Sequence, residues 1–456
     1  MKKIIMFICI ITTLFFVNDT YAADTVYSLN KYKEEKFETI IDSYDENMKQ
    51  DGFIAAGTIL KENKTENDEI FDDYQVALVK YDVTGKVKWI FNYGKTDTDK
   101  LDCLEYTYDE KNKINGYLIV MKKSNDIEEE IKYNTSVFVK IDLEGKLVEE
   151  KETSLEDNTL ITKIIPVLDQ DKKLSCYIAI GNGEYPFIAQ YDRDLNLVYV
   201  KKHELKDTIF KDISVIRKEK EIDSYIVSLE EKNDKKINKV NRYDLHGNEI
   251  ATILSNEYEY DKIGFLQETN GFLVYGLTNE VKLDDTDSPT YYIVKYNLEN
   301  EEEWETIGNI SISKDGEIKL INNHNEYLLM YTNETDKSNE IVKIGFDGLI
   351  REKVKKIKNE YYNITSFNTY NNTIYFIGQI TCPEDETCDY DSNSLFLISD
   401  QDKVIEVQHK EASSISLVTV LFIIAIILIV IVRKKTKENK VKNKKKKHLK
   451  WTPNSS

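Results

Sequence analysis

Residues 382–394 read CPEDETCDYDSNS, and they gather most of the side chains whose types and spacing suit a specific chemistry. Cys382 and Cys388 flank five residues, a separation that suits a small loop-closing disulfide in an oxidising compartment. Asp389, Asp391 and Asn393 alternate as the oxygen ligands of a calcium loop do, and Asp400 falls at the twelfth place of such a loop. Against calcium, Ser394 stands where that loop needs Gly, Asp400 replaces a bidentate Glu, and a strand-like run follows in place of a helix. A solvated acidic loop explains the same residues. Of the other cysteines, Cys9 falls in a leader, and Cys103 and Cys176 lie inside apolar runs as small buried hydrophobes. Gly94-Lys95-Thr96 looks like the end of a phosphate loop, but Trp89 occupies the place of that motif's first Gly. His203, His246, His324, His409 and His448 are scattered without zinc spacing, and there is no Gly-x-Ser-x-Gly elbow. The expectation is therefore no catalytic, cofactor or metal residues, with Cys382 and Cys388 as a disulfide pair.

The elements that must position these residues repeat along the chain. Residues 76–94, VALVKYDVTGKVKWIFNYG, read as a strand apolar on both faces, an Asp-x-x-Gly turn and a return strand. Echoes follow at 137–149, 187–199, 241–250, 293–304, 341–350 and 395–407. The turn-opening positions run from 82 to 399 across six intervals, a mean period of about 53 residues. A shorter apolar element precedes each hairpin, as in GFIAAGTI from Gly52 and GFLVYGLT from Gly271, and a further β-rich run precedes that. Four strands per unit and seven units predict an all-β, seven-bladed β-propeller, because each two-faced sheet can bury itself only against its neighbours. Thr25–Leu29 offers an additional strand for the last blade, whose fourth strand is expected at 404–408.

The first unit, QDGFIAAG…VALVKYDVTGKVKWIFNYG, resembles the repeat of a class of bacterial secreted β-propellers, roughly DGGYIVAG followed by LVKLDxxGxxxWxKxYGG. The resemblance covers about residues 35 to 408 and weakens after the first unit. Trp89 and Trp304 keep the repeat's Trp, and Tyr199 replaces it. It implies a fold and carries no catalytic residues.

The chain ends set the expected compartment. Lys2 and Lys3 precede an apolar run, Ile4 to Val17, too short to cross a bilayer, and Ala22 offers a cleavage site, so 1–22 reads as a signal peptide. Ile415 to Val432 is uncharged and long enough to span, and Arg433-Lys434-Lys435 follows, so 411–433 reads as a transmembrane helix with a cytoplasmic basic tail at 434–456. Residues 23–410 would then be an extracytoplasmic propeller on a bacterial cell membrane. The whole chain carries −19; setting aside the +10 tail and the +1 leader leaves about −30, which repels nucleic-acid phosphates.

Between second and third strands the expected loops are long and acidic: 61–75 holds six acids and two Lys, 278–291 four acids and one Lys, and 380–394 five acids. Such loops on a rigid scaffold suit binding. With a last strand at 404–408 the chain would leave from this acidic side and hold it toward the membrane. The functional expectation is a membrane-anchored binding or assembly module with a protein or glycan partner near the membrane surface and no cofactor. The alternatives are a propeller enzyme with an axial site (a quinoprotein-like dehydrogenase or glycan lyase), or a sensor signalling through the basic tail. An axis lined by His, Arg and paired carboxylates would favour the enzyme, and an apolar plug would favour binding.

Overall fold

The computed structural model describes residues 25–400 apart from 67–68, 95–98, 125–132, 157, 170, 205–206, 220, 233–235, 257–262, 269, 279–287, 315, 324, 358–361 and 382–391. These residues form strands and turns with no helix. Five antiparallel four-stranded sheets follow chain order, and the strands at the two ends of the described chain share an eight-stranded sheet, in which a single parallel bridge from Glu34 to Ser392 joins two four-stranded halves, named here sheets 1 and 7. Sheet 1 contains Glu34–Tyr44, Gln50–Glu66, Glu69–Asp82 and Val87–Tyr93. Sheets 2 to 6 cover 100–152, 160–202, 208–256, 263–307 and 318–357. Sheet 7 takes Tyr362–Tyr370, Thr373–Thr381 and Ser392–Asp400 from the end of the described chain and Thr25–Tyr27 from its start.

Seven apolar clusters explain why both faces of the middle strands are apolar. Each cluster lies between two successive sheets. Ile54, Leu78 and Leu104 help fill the first interface, Leu118, Ile164 and Tyr177 the second, and Phe37, Tyr81 and Phe396 the one between sheets 7 and 1. The sheets therefore close into a propeller-like ring, and every interface removes apolar surface from water at roughly 25 cal/mol per Å².

Closure has its own latch. Thr25, Val26 and Tyr27 pair with Ile398, Leu397 and Phe396. Glu35, fully buried, accepts from the backbone N–H of Lys31 at 2.8 Å and Tyr32 at 3.1 Å, and from the N–H and hydroxyl of Ser394 at 2.9 and 2.6 Å. One carboxylate thus ties the entering chain, sheet 1 and sheet 7 together. Val26, in the edge strand, packs against the cluster between sheets 6 and 7.

Up-and-down pairing places the first–second and third–fourth connections of every sheet at one end, the turn face, and the second–third connections at the other, the loop face. One turn recurs on the turn face. Asp82 accepts from the N–H of Thr84 and Lys86, and Gly85 sits at φ 82°. Asp142, Asp192 and Asp244 repeat this between third and fourth strands. Asp45, Asp109 and Asp169 repeat it between first and second strands, where the sequence reading overlooked it. The Asp oxygen holds two otherwise unpaired donors, and the fourth residue must enter the left-handed region.

The structure corrects several expectations. Residues 61–66 and 69–75 are strand, not loop: sheet 1's central hairpin pairs on to Glu66 and Glu69. Ser399, expected to open a turn, lies inside Ser392–Asp400 opposite Ile374. Thr25–Tyr27 fills the fourth place of sheet 7 that was assigned to 404–408. Ser392–Asp400 is consequently a third strand and delivers the chain at the turn face, not on the acidic side. The start of Thr25–Tyr27 lies at the same face, because it runs antiparallel to that strand. The expected signal peptide, transmembrane helix, basic tail and Cys382–Cys388 pair fall outside the described residues. Cys103 and Cys176 are buried free thiols, as expected, and burial pushes the Cys176 thiol up to about 11.

Candidate functional site: the charged axis

The first strands of the seven sheets, Glu34–Tyr44, Lys100–Tyr108, Leu160–Leu168, Thr208–Lys218, Ile263–Glu268, Ile318–Asn323 and Tyr362–Tyr370, surround the centre of the ring. Their polar side chains meet there. Lys319 of sheet 6 feels the charges of Lys163 in sheet 3 and Asp42 in sheet 1, a coupling possible only across the axis. Glu38 of sheet 1 feels Lys100 of sheet 2 and Glu317 beside sheet 6.

A shared distortion helps to build this lining. In sheets 1, 2, 3, 4 and 7 the first strand carries a β-bulge at the same place, skipping Glu38, Asp102, Thr162, Lys211 and Thr365 in the register. All five are polar. Each follows a buried apolar residue: Phe37, Leu101, Ile161, Phe210 and Ile364. A bulge adds a residue without a cross-strand partner and re-aims the side chains beside it. Several of these residues are met from the second strand of their own sheet. Lys122 lies 2.6 Å from Asp102, Asn182 donates to Thr162 at 2.8 Å, and Lys211 pairs with Glu230. Thr365 instead donates to the carbonyl of Phe37 across the closure, at 2.6 Å.

Deeper in the axis, Lys163 and Asp212 form an ion pair at 2.8 Å while retaining 36% and 20% side-chain exposure, so water reaches them. Asp212 raises the Lys163 ammonium. Burial pushes Glu105 up to about 7 against the pull of Lys163, and pushes Asp102 up to about 6 despite Lys122. Burial and the like charge of Lys163 bring Lys319 down to about 8. Lys319 donates to the Ser366 hydroxyl at 2.6 Å, and Asp42 accepts from Asn368 at 3.0 Å and Gln50 at 2.9 Å. Tyr275 comes from a second strand and stands over Gly264 of the first: a Cβ there would lie 2.4 Å from its ring. Gly264 thereby lets a phenol reach the neighbourhood of Asp212, Lys163 and Glu317.

Among the described residues, Lys, Asp, Glu and Tyr line the axis, which is therefore not an apolar plug. From sequence, paired carboxylates on the axis were considered, but none of these residues stood out. The available signal was the apolar–polar pair repeated in five first strands, FE, LD, IT, FK and IT, at positions 37, 101, 161, 210 and 364.

The remaining sequence candidates scatter. Asn393 and Asp400 lie on one extended strand, seven residues and roughly 23 Å apart along it. Asp389 and Asp391 lie outside the described residues. Among the described residues, no three His, Cys, Asp or Glu side chains are grouped to hold a metal. His203 is packed in a groove of about 420 Å³ between sheets 3 and 4, edge-on to Phe210 and 3.4 Å from Glu249. Trp89, Tyr199 and Trp304, the repeat's aromatic position, have a structural role. They donate to the carbonyls of Leu143, Leu245 and Phe346 in the next sheet's third–fourth turn, at 3.0, 2.9 and 3.1 Å. Where the aromatic is missing, other donors reach the same place: Lys151 to Asp194, Arg242 to Leu298 and Tyr375 to Val83.

No described protein family matches this chain, and no curated protein does. Solved structures with a similar arrangement include a protein of unknown function from Bacteroides caccae, 12% identical, covering 65% of this chain and 93% of that one at TM-score 0.38. Another is the polysaccharide lyase Uly1, 8% identical, covering 82% and 91% at TM-score 0.47. BBS1N in complex with ARL6DN is 10% identical, covering 73% and 90% at TM-score 0.42. Identities this low assign no activity to this chain. What the chain itself establishes is an all-β, propeller-like ring of four-stranded sheets around a charged axis.

Proposed function

We propose that this protein is a secreted, membrane-anchored seven-bladed β-propeller that acts as a binding module, with its ligand site at the loop-face mouth of the axis. The observation that carries the reading is the convergence of ionisable side chains from separate sheets on one water-accessible axis. Burying charges is costly unless they are used or fully paired, and burial raises the carboxyls of Glu38, Asp42, Asp102 and Glu105 from their ordinary range. In this reading residues 1–22 are removed, 411–433 cross the bilayer, and Cys382 and Cys388 close their loop as a disulfide. The chain leaves the sheets at the turn face.

The test is capture by the full-length protein in lipid nanodiscs, offered separately to cell-wall and membrane fractions of its own organism. Retention of a specific component that Glu38→Gln abolishes supports the reading. Retention that no axial substitution alters refutes an axial site.

A second reading has its own observation. Glu105 near 7 and Lys319 near 8 share the axis with the Lys163–Asp212 pair, and groups of this kind serve general acid–base catalysis. Turnover of a glycan or alcohol that Glu105→Gln removes would establish it in place of binding alone.

A further inference from the structure

Six fourth strands share one distortion. In sheets 1 to 6 the second residue of the fourth strand is a β-bulge, skipped in the register: Lys88, Val148, Val198, Ile250, Glu303 and Arg351. A fourth strand is the outer edge of its sheet, and an edge has backbone groups that invite pairing with another chain. A bulge and a charged side chain are the usual guards against it. Sheets 1, 5 and 6 have both. Lys88 pairs with Asp82 at 2.9 Å, Glu303 with Lys295 at 2.9 Å and Arg351 with Asp347 at 2.6 Å, each within its own sheet.

The three consecutive sheets between them lack the charge. Val148, Val198 and Ile250 are 63%, 56% and 55% exposed. Local structure does not force this choice. Asp142, Asp192 and Asp244 stand in the place of Asp82, so a lysine at each bulge would find the carboxylate that Lys88 finds. Single exposed apolar residues are ordinary, but three at one structural position in adjacent sheets form a surface. Hydrogen bonds between the sheets join them. Lys151, three residues after Val148, donates to the Asp194 carbonyl at 2.8 Å and to Asn196 Oδ1 at 2.7 Å, in the turn that leads to Val198. Tyr199, next to Val198, donates to the Leu245 carbonyl at 2.9 Å, in the turn that leads to Ile250. Leu147, Val200 and Leu245 are exposed as well and widen the stripe.

The charge around the stripe selects its partner. Residues 142–152, 192–204 and 244–256, the turns and fourth strands of these sheets, hold ten Asp or Glu and five Lys or Arg. Lys140 and Lys123 reach Glu149 and Glu150 from neighbouring strands, at 3.1 and 2.7 Å, and with them the acids still outnumber the bases. Such a surface attracts cations and repels both anionic lipid and a second copy of itself. An extended segment suits an unpaired edge, because its backbone can pair there while its side chains alternate between apolar and polar surroundings.

We infer that the outer edges of sheets 2 to 4 bind an extended basic segment of a partner protein, which lays apolar side chains on Val148, Val198 and Ile250 and offers Lys or Arg to the surrounding carboxylates. This interface lies outside the axis and does not depend on it.

The experiment titrates the full-length protein in phosphatidylcholine nanodiscs, with empty nanodiscs as the blank, against alternating Lys–Val, Glu–Val and Lys–Ser octapeptides by fluorescence anisotropy. Only the Lys–Val peptide is expected to bind. Combining Val148→Thr, Val198→Thr and Ile250→Thr weakens it about tenfold or more, since several methyl groups leave the contact. Val198→Lys, which restores the guard found in sheet 1, weakens it in the same direction and serves if the triple variant fails to fold. Leu349→Thr, an exposed apolar position in sheet 6, and Glu38→Gln on the axis leave affinity unchanged. Equal binding of the Lys–Ser peptide would reduce the effect to charge attraction and overturn the inference. Preference for the Glu–Val peptide, no binding of the Lys–Val peptide, or a triple variant that binds it as wild type does would also overturn it. Self-association in sedimentation velocity that the triple variant abolishes would assign the stripe to a second copy instead.

Discussion

Replacing Glu35 by Ala removes the acceptor of four hydrogen bonds at the ring closure. Their loss is not uniform. Lys31 is exposed and Tyr32 half-buried, so water replaces the carboxylate at their N–H groups. Ser394 is fully buried, and both its N–H and its hydroxyl lose their shared acceptor. At about 1.5–2 kcal/mol for each donor left without a charged partner, the cost is about 3–4 kcal/mol. With an unfolding entropy of ~2.1 cal/mol/K per residue over ~370 residues, that lowers the melting temperature by roughly 4–5 °C if the ring unfolds as one unit. The assay is thermal unfolding by circular dichroism, with amide hydrogen exchange at 25–27 and 396–398 as the local readout. Glu35→Ala is expected to release exchange at both segments, since the edge strand rests on three residue pairs. Glu46→Ala, an exposed turn position, is the control. A Glu35→Ala protein that melts within 1 °C of wild type and keeps strand 25–27 protected would refute the idea that this carboxylate holds the closure.

Three further outcomes follow from the geometry. Gly145 lies at φ 78°, and an added Cβ would sit 2.6 Å from Trp89 Cδ2. Gly145→Ala therefore destabilises by about 2 kcal/mol or more in urea unfolding, and combining it with Trp89→Ala costs less than the sum of the two, since the clash is gone and only the backbone strain remains. Glu105 has a folded-state carboxyl raised by burial to about 7, so its contribution to stability is intact below about pH 4.5 and is lost as the pH rises toward 7. Melting curves from pH 4.5 to 8 should show Glu105→Gln losing less stability across that window than wild type. Lys319, held down to about 8, should be acylated ahead of the exposed lysines at pH 8 by an amine reagent small enough to enter the axis, as read by peptide mass spectrometry.

Much of the architecture was legible in the residues. The strand pair at 76–94 and its echoes carry local information: alternation with both faces apolar, an Asp whose oxygen caps the turn, and a Gly or Asn that tolerates positive φ. These are properties of a few adjacent residues, and they survive in the structure at Asp82, Asp142 and Asp244, and at Asp192 with Leu195 in the positive-φ place. The same turn at Asp45, Asp109 and Asp169 was equally local but went unrecognised, because Met48 and Lys172 stand where Gly was sought. The acidic run 61–75 misled in the opposite direction. Charge suggested a loop, whereas its backbone continues the sheet 1 hairpin to Glu66 and Glu69.

The site belonged to another scale. Glu38, Asp102, Lys163, Asp212 and Lys319 are separated by tens to hundreds of residues, and each alone looks like a charged residue in a strand. Only the closing of seven sheets into a ring brings them within electrostatic reach, and only the burial that closing creates moves Glu105, Asp102 and Lys319 from their ordinary protonation ranges. The exit face was decided the same way. Locally, 395–407 resembled the other third–fourth strand hairpins, but the edge of Ser392–Asp400 is taken by Thr25–Tyr27. Periodicity and turn chemistry are short-range, so the chain's own order determined strands, turns and the number of repeats. Which strand completes the last sheet, and which side chains share the axis, depend on contacts between residues hundreds of positions apart, and those were decided by the tertiary structure.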